Sequence, residues 1–240
     1  PDCPMKFKTV ALALLLGLQA IAAPAKPNIV FIFIDDMGYA DIGPFGNTKL
    51  RTPHLDALAK QGRKFTSFYA TPVCSMSRAS LMTGCYNSRL SLPGVLQPWA
   101  QIGLNPEEDT IADVLKKQGY ATACIGKWHL GDQPEFLPTA QGFDSYFGIP
   151  YSNDMGPVGD GTRSDLGKPV PASKGKQQPP LPLLRNGVVE KRVLPDVQQS
   201  LVEIYTDEAV KYITEKKAAP FFLYLPLTSP HTPILDRKST

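Results

Sequence analysis

Cys74 and Arg78 stand four residues apart in the stretch Cys74-Ser75-Met76-Ser77-Arg78-Ala79-Ser80-Leu81-Met82-Thr83-Gly84. On a helix beginning at Cys74 they share a face. The thiol is a possible nucleophile. The guanidinium one turn on would hold an anion or oxyanion beside it, and the helix N-terminus adds partial positive charge. Lys127 and His129 are two apart, so in an extended segment they point the same way. A cation beside a titratable donor suits an oxyanion substrate. Asp35-Asp36 closes an apolar run, and adjacent carboxylates there offer oxygen ligands to a hard cation. His231 sits between Pro230 and Pro233, whereas His54 falls in the first turn of a helix and reads as incidental. Each feature has a plainer reading: a solvated turn, a buried structural cysteine, a surface lysine, a rigid turn carrying an imidazole.

The surrounding pattern supplies elements to position these groups. Ile29 to Ile34 is apolar without alternation, which predicts a strand buried on both faces of a parallel sheet. Thr52-Pro53 opens a helix with Leu55, Leu58 and Ala59 on one face and Gly62 as its stop. Phe65 to Ala70 reads as a short extended segment, Ser75 to Met82 as a helix capped by Gly84, and Asp109-Thr110 as the start of a helix ending at Gly119. Tyr120 to Ile125 is the next strand, followed by Gly126-Lys127-Trp128-His129. Met155 to Val188 is rich in Gly, Pro, Lys and Ser and reads as a long loop bordering the site. Val197 to Lys216 reads as one helix and Phe221 to Leu225 as a buried strand leading to His231. The alternation implies an α/β fold with a largely parallel central sheet and helices on both faces. Asp35-Asp36, Lys127-His129 and His231 all follow strands, which places one site at the sheet's C-terminal edge.

With 240 residues and 42% apolar composition, the chain can bury a core. A net charge of +3 without a basic stripe argues against nucleic-acid binding. Met5-Lys6-Phe7-Lys8, the apolar run Val10 to Ile21 and the small residues Ala20 to Ala23 read as a cleavable signal peptide over 5–23, so the mature chain is expected to be exported and to have no membrane span. Residues 1–4 precede Met5 and read as non-native upstream sequence. Cys74, Cys85 and Cys124 then remain, an odd number, with Cys85 and Cys124 expected as small buried residues.

The segments Pro27-Asn28-Ile29-Val30 through Asp35-Asp36-Met37-Gly38-Tyr39, Cys74–Gly84, Gly126-Lys127-Trp128-His129-Leu130-Gly131, Gln141-Gly142-Phe143-Asp144, Gly148–Ser152 and Pro220–Tyr224 with His231 resemble the sulfatase family, arylsulfatase A-like, within the alkaline phosphatase-like superfamily. The resemblance implies that Cys74 is oxidised to formylglycine by a formylglycine-generating or sulfatase-maturing enzyme. The formylglycine hydrate would attack the sulfur of a sulfate ester: an aryl sulfate, sulfolipid or sulfated glycan. Asp35, Asp36 and the modified Cys74 would ligate calcium, and Arg78 would steady the hydrate. Lys127 would bind the sulfate, His129 would help expel it from the covalent intermediate, and His231 would contact sulfate and serve as general acid. The family's modification motif has proline or alanine at its third place, where this chain has Met76. Family members also continue with further calcium ligands, a second sulfate-binding lysine and a C-terminal subdomain. Residues 27–240 are therefore expected to be the N-terminal part of a catalytic domain, apparently truncated. Two alternatives stand beside this: a phosphatase or phosphodiesterase of the same superfamily, and a non-catalytic exported remnant of the fold.

Overall fold

The computed structural model describes residues 26–157, 160, 164–165, 168–169 and 178–234. The proposed signal peptide and much of the Met155–Val188 loop lie outside them. Eight strands run as β1 (Ile29–Asp35), β2 (Ala121–Ile125), β3 (Ser145–Gly148), β4 (Ser164–Asp165), β5 (Lys168–Pro169), β6 (Pro182–Arg185), β7 (Val188–Arg192) and β8 (Phe221–Pro230). The α-helices are α1 (Pro53–Gln61), α2 (Cys74–Thr83), α3 (Ile111–Lys117), α4 (Pro195–Gln198) and α5 (Leu201–Lys216). The main sheet has the order β1-β8-β2-β3-β6-β7. β1, β8, β2 and β3 are parallel, and β6 and β7 continue the sheet antiparallel.

The α/β reading holds, with one core on each face of the sheet. On one side Ala79 and Met82 of α2 and Ala112 of α3 pack with Trp128, Phe143, Phe222 and Tyr224. There the Trp128 ring meets Phe143 edge-on at 6.0 Å, and Phe143 stacks on Phe222 at 5.9 Å. On the other side Leu201, Tyr205, Ala209 and Tyr212 of α5 pack on Ala123, Ile125, Leu223 and Leu225. Thr110 caps α3 by accepting from the Asp113 amide at 3.1 Å, while Asp113 accepts back from the Thr110 amide.

Several expectations are corrected. β1 is the sheet's edge, not a strand buried on both faces: Phe31 and Phe33 reach the first core, while Val30 and Ile32 on the opposite face are exposed. An edge strand and a central one can share the same apolar run, because periodicity does not report what lies beside them. Leu58 of α1 is exposed, and no α1 residue is buried. Phe65 to Ala70 belongs to none of the described strands, and Phe65, Phe68 and Tyr69 are exposed. Cys85 is exposed rather than buried. The end of the supposed loop is the β6–β7 hairpin, turned by Asn186 and Gly187 at φ 49° and 84°. The expected 197–216 helix is divided into α4 and α5 around Gln199-Ser200.

Candidate active site

Three parallel strands deliver side chains to one edge. Asp35 ends β1, Lys127 follows β2 by two residues, and His231 follows β8 directly. α2 points its first turn at the same place. Its entry residue, Val73, takes φ 63°, and its exit is closed by Gly84 at φ 69°, whose amide donates to the Ser80 carbonyl. Asp36 and His129 also have positive φ, at 64° and 61°. Of six such non-glycine residues among the described residues, three thus lie in or beside this edge, which is where backbone strain collects in functional sites. His129 is therefore not in an extended segment with Lys127, as its spacing suggested. The turn instead carries both inward, and both are fully buried.

Asp35 is the hub. Its Oδ2 accepts from Lys127 Nζ at 2.5 Å and lies 3.3 Å from Arg78 Nη2, all three side chains being buried. Arg78 also donates to the Lys127 carbonyl at 2.6 Å and stands over the Phe33 ring at 5.0 Å. Burial pushes the Asp35 carboxyl up, but Arg78 and Lys127 outweigh it and hold the group below the usual carboxylate range. Burial and the Arg78 charge lower the Lys127 ammonium despite Asp35. Two cations on one carboxylate leave the cluster with a net positive charge, suited to an oxyanion.

Cys74 and His231 are neighbours, their sulfur and a ring nitrogen lying within 4.8 Å. Burial raises the Cys74 thiol, yet His231 and Lys127 bring it below its usual value. Conversely, Cys74 raises His231. The His231 ring is oriented by Nδ1 donating to the Thr232 carbonyl at 2.6 Å, and its Nε2 lies 3.7 Å from Asp36 Oδ2. Burial drives His129 well below its usual value, so its imidazole is neutral. Its Nε2 donates to the Leu96 carbonyl at 2.9 Å, which leaves Nδ1 as a buried lone pair with no protein partner among the described residues.

The structure thus brings Asp35, Cys74, Arg78, Lys127, His129 and His231 together, with Asp36 at the exposed rim. Three participants were not singled out from sequence. Ser152 accepts from Lys127 Nζ at 2.8 Å; it lies just past β3, so the strand-end rule that found the others would have found it. Leu96 supplies only a carbonyl, and Ser75 reaches it by accepting from the Leu96 amide at 3.1 Å.

Asp35, Cys74 and His231 present ligand atoms within 4.8 Å of one another. Calcium needs six to eight oxygens. Asp35 and Asp36 fit it in donor type, and the described residues supply only part of such a shell. Arg78 Nε and His129 Nδ1, both buried and without a hydrogen-bond partner among the described residues, are groups that a hydroxylated side chain grown from Cys74 would suit.

Comparison with known proteins agrees with this architecture. The Sulfatase family profile matches residues 27–238. Bos taurus arylsulfatase A is 42% identical over 237 residues, covering 96% of this chain and 46% of the relative. Rattus norvegicus N-acetylgalactosamine-6-sulfatase is 34% identical, covering 93% and 43%. Among solved structures, the PsFucS1 sulfatase from Pseudoalteromonas sp. superposes with a TM-score of 0.72 at 28% identity, covering 96% of this chain and 49% of that one. BT4656 in complex with its substrate D-glucosamine-2-N,6-O-disulfate superposes with a TM-score of 0.61 at 26% identity, covering 86% and 35%. The chain therefore spans about half or less of the length of these relatives, and over that span it belongs to the sulfatase family.

Proposed function

We propose that the protein hydrolyses sulfate esters, using a formylglycine made from Cys74 by a formylglycine-generating or sulfatase-maturing enzyme, after export through the signal peptide at 5–23. The observation that carries this reading is the convergence of Cys74 with a buried, net-positive Arg78–Asp35–Lys127 cluster and with the imidazoles of His129 and His231. Lys127 and His231 bind the sulfate oxygens, and Ser152 steadies the ammonium. Arg78 orients the side chain at position 74. Neutral His129 holds a proton from that side chain at Nδ1. His231, its Nδ1 committed to the Thr232 carbonyl, carries at Nε2 the proton that goes to the leaving alcohol. When present, the aldehyde hydrate supplies the nucleophile, and calcium on Asp35, Asp36 and position 74 offsets sulfate charge. The substrate class is an aryl sulfate, a sulfolipid or a sulfated glycan.

The test begins with the tryptic peptide 65–78 from native material, whose mass is expected to show an aldehyde in place of the thiol. Turnover of an aryl sulfate, with an aryl phosphate as comparator, is then expected to favour sulfate and to vanish in Cys74→Ala. A peptide carrying only free thiol, or preference for phosphate, would refute the reading in favour of a fold remnant or a phosphatase respectively.

A further inference from the structure

We infer that, while Cys74 is still a thiol, the same edge is a site for a thiophilic divalent cation, zinc, held by Asp35, Cys74 and His231. The ligand set differs in kind from an oxygen shell for calcium. A sulfur, an imidazole nitrogen and a carboxylate oxygen are the donors zinc prefers. Their ligand atoms lie within 4.8 Å of one another. Tetrahedral zinc, with bonds of about 2.0 to 2.3 Å, needs donors roughly 3.4 to 3.6 Å apart, so each has to move by only about an ångström.

The surroundings also suit an ion. His231 Nδ1 is committed to the Thr232 carbonyl at 2.6 Å, which leaves Nε2 as the ligating nitrogen. Such an outer hydrogen bond fixes ring and tautomer in zinc sites. Nε2 faces Asp36 Oδ2 at 3.7 Å, so a second carboxylate stands at the open side as a further ligand. Lys127 and Arg78 both grip Oδ2 of Asp35, leaving Oδ1 for the metal. On binding, a zinc–sulfur bond forms, the thiol proton passes to solvent, and no electrons are transferred. The site needs the unconverted cysteine, so zinc occupies the chain before maturation and keeps the thiol from other chemistry. The inference does not depend on whether conversion follows.

The probe is cobalt(II), a spectroscopic stand-in for zinc, added to protein translated in a cell-free mixture without a maturing enzyme, with the free thiol at Cys74 verified by peptide mass. The expected result is a near-ultraviolet thiolate-to-cobalt charge-transfer band that one equivalent of zinc abolishes and a large excess of calcium does not. Cys74→Ser is expected to lose the band, and His231→Gln to weaken cobalt binding at least tenfold. Cys85→Ser, which alters the exposed thiol, is expected to keep the band, and circular dichroism verifies that each variant folds. A wild-type protein without the band, a band that survives in Cys74→Ser, or displacement by calcium as effective as by zinc would overturn the inference.

Discussion

Two cations share one buried carboxylate, and this makes the cost of deleting each partner unequal. Arg78 Nη2 and Lys127 Nζ lie 3.3 and 2.5 Å from the same Asp35 oxygen, so they are less than about 6 Å apart. Asp35→Asn keeps the shape and leaves two like charges facing each other. At an effective dielectric of about 20 their repulsion is about 3 kcal/mol, and removing one partner of a buried pair costs about 3 to 5 kcal/mol in all. Lys127→Met instead leaves Arg78 and Asp35 as a neutral pair and puts an apolar chain in a site of zero exposure. It loses the bonds to Asp35 and Ser152 but creates no orphan charge, so its expected cost is under about 2 kcal/mol. Urea unfolding followed by circular dichroism, in chelator so that metal binding does not contribute, measures both. The charge-count argument fails if Lys127→Met is as damaging as Asp35→Asn.

Other perturbations separate the remaining parts. Ser75→Ala removes the acceptor that pins the Leu96 amide, and Leu96 holds His129; the variant is expected to fold with a loss of about 1 kcal/mol and to lower kcat more than it raises KM, whereas equal effects on both would deny Ser75 its positioning role. Met76 lies in the first turn of α2, where the first intrahelical bond is from the Ser77 amide to the Val73 carbonyl, so Met76→Ala leaves the fold intact; the aldehyde fraction of peptide 65–78 is expected to rise, and an unchanged fraction would show that the third place does not govern conversion. Gly148→Ala would put a methyl 1.8 Å from the Gly126 carbonyl oxygen, where β2 leaves the sheet toward Lys127, and is expected to cost about 3 kcal/mol or more in urea unfolding; near-neutral stability would show that the β2–β3 contact can open. Burial raises the Asp144 carboxyl, but Lys116 at 2.7 Å and the Thr122 amide outweigh it, so the folded value sits below the unfolded one; its contribution, under about 1 kcal/mol for so exposed a pair, is present above about pH 4 and fades as pH falls through the folded value, so the difference between Asp144→Asn and wild type is expected to be full at pH 7 and to shrink steadily as the solution is made more acidic than pH 4.

What could be read before the structure was the part written in side chains at strand ends. Asp35, Lys127 and His231 follow apolar runs, and a parallel sheet sends all such positions to one edge. Cys74 and Arg78 were legible because one helical turn joins them. The Asn186-Gly187 turn was also legible in principle, being a strong hairpin signal, but the prolines before it drew the whole stretch into a loop. Other features leave no such mark. The Leu96 carbonyl that sets the His129 tautomer is a group every residue possesses, and the turn that puts His129 at φ 61° can be recognised only from the contacts around it. The exposed face of β1 is a third case: Val30 and Ile32 have the composition of a buried strand, and what makes them exposed is the position of β1 beyond β8, a fact of topology rather than of the run itself.

The same distinction bears on the chemistry. Residue types alone allowed Cys74 to be a nucleophile or an inert core thiol. Cys124 shows the second outcome, fully buried with its thiol pushed far up. Cys74 differs because an imidazole, an ammonium and a guanidinium act on it together, and those three arrive from β8, the β2 exit and its own helix. No single segment carries that environment. It follows that a change confined to the first turn of α2 alters the position-74 side chain or its presentation, whereas a change at Asp35 rearranges every group around it. Stability should therefore discriminate between Asp35 and Met76 variants: a Met76→Ala that changes turnover with wild-type unfolding points to conversion, and an inactive Asp35→Asn with a collapsed midpoint points to the charge cluster.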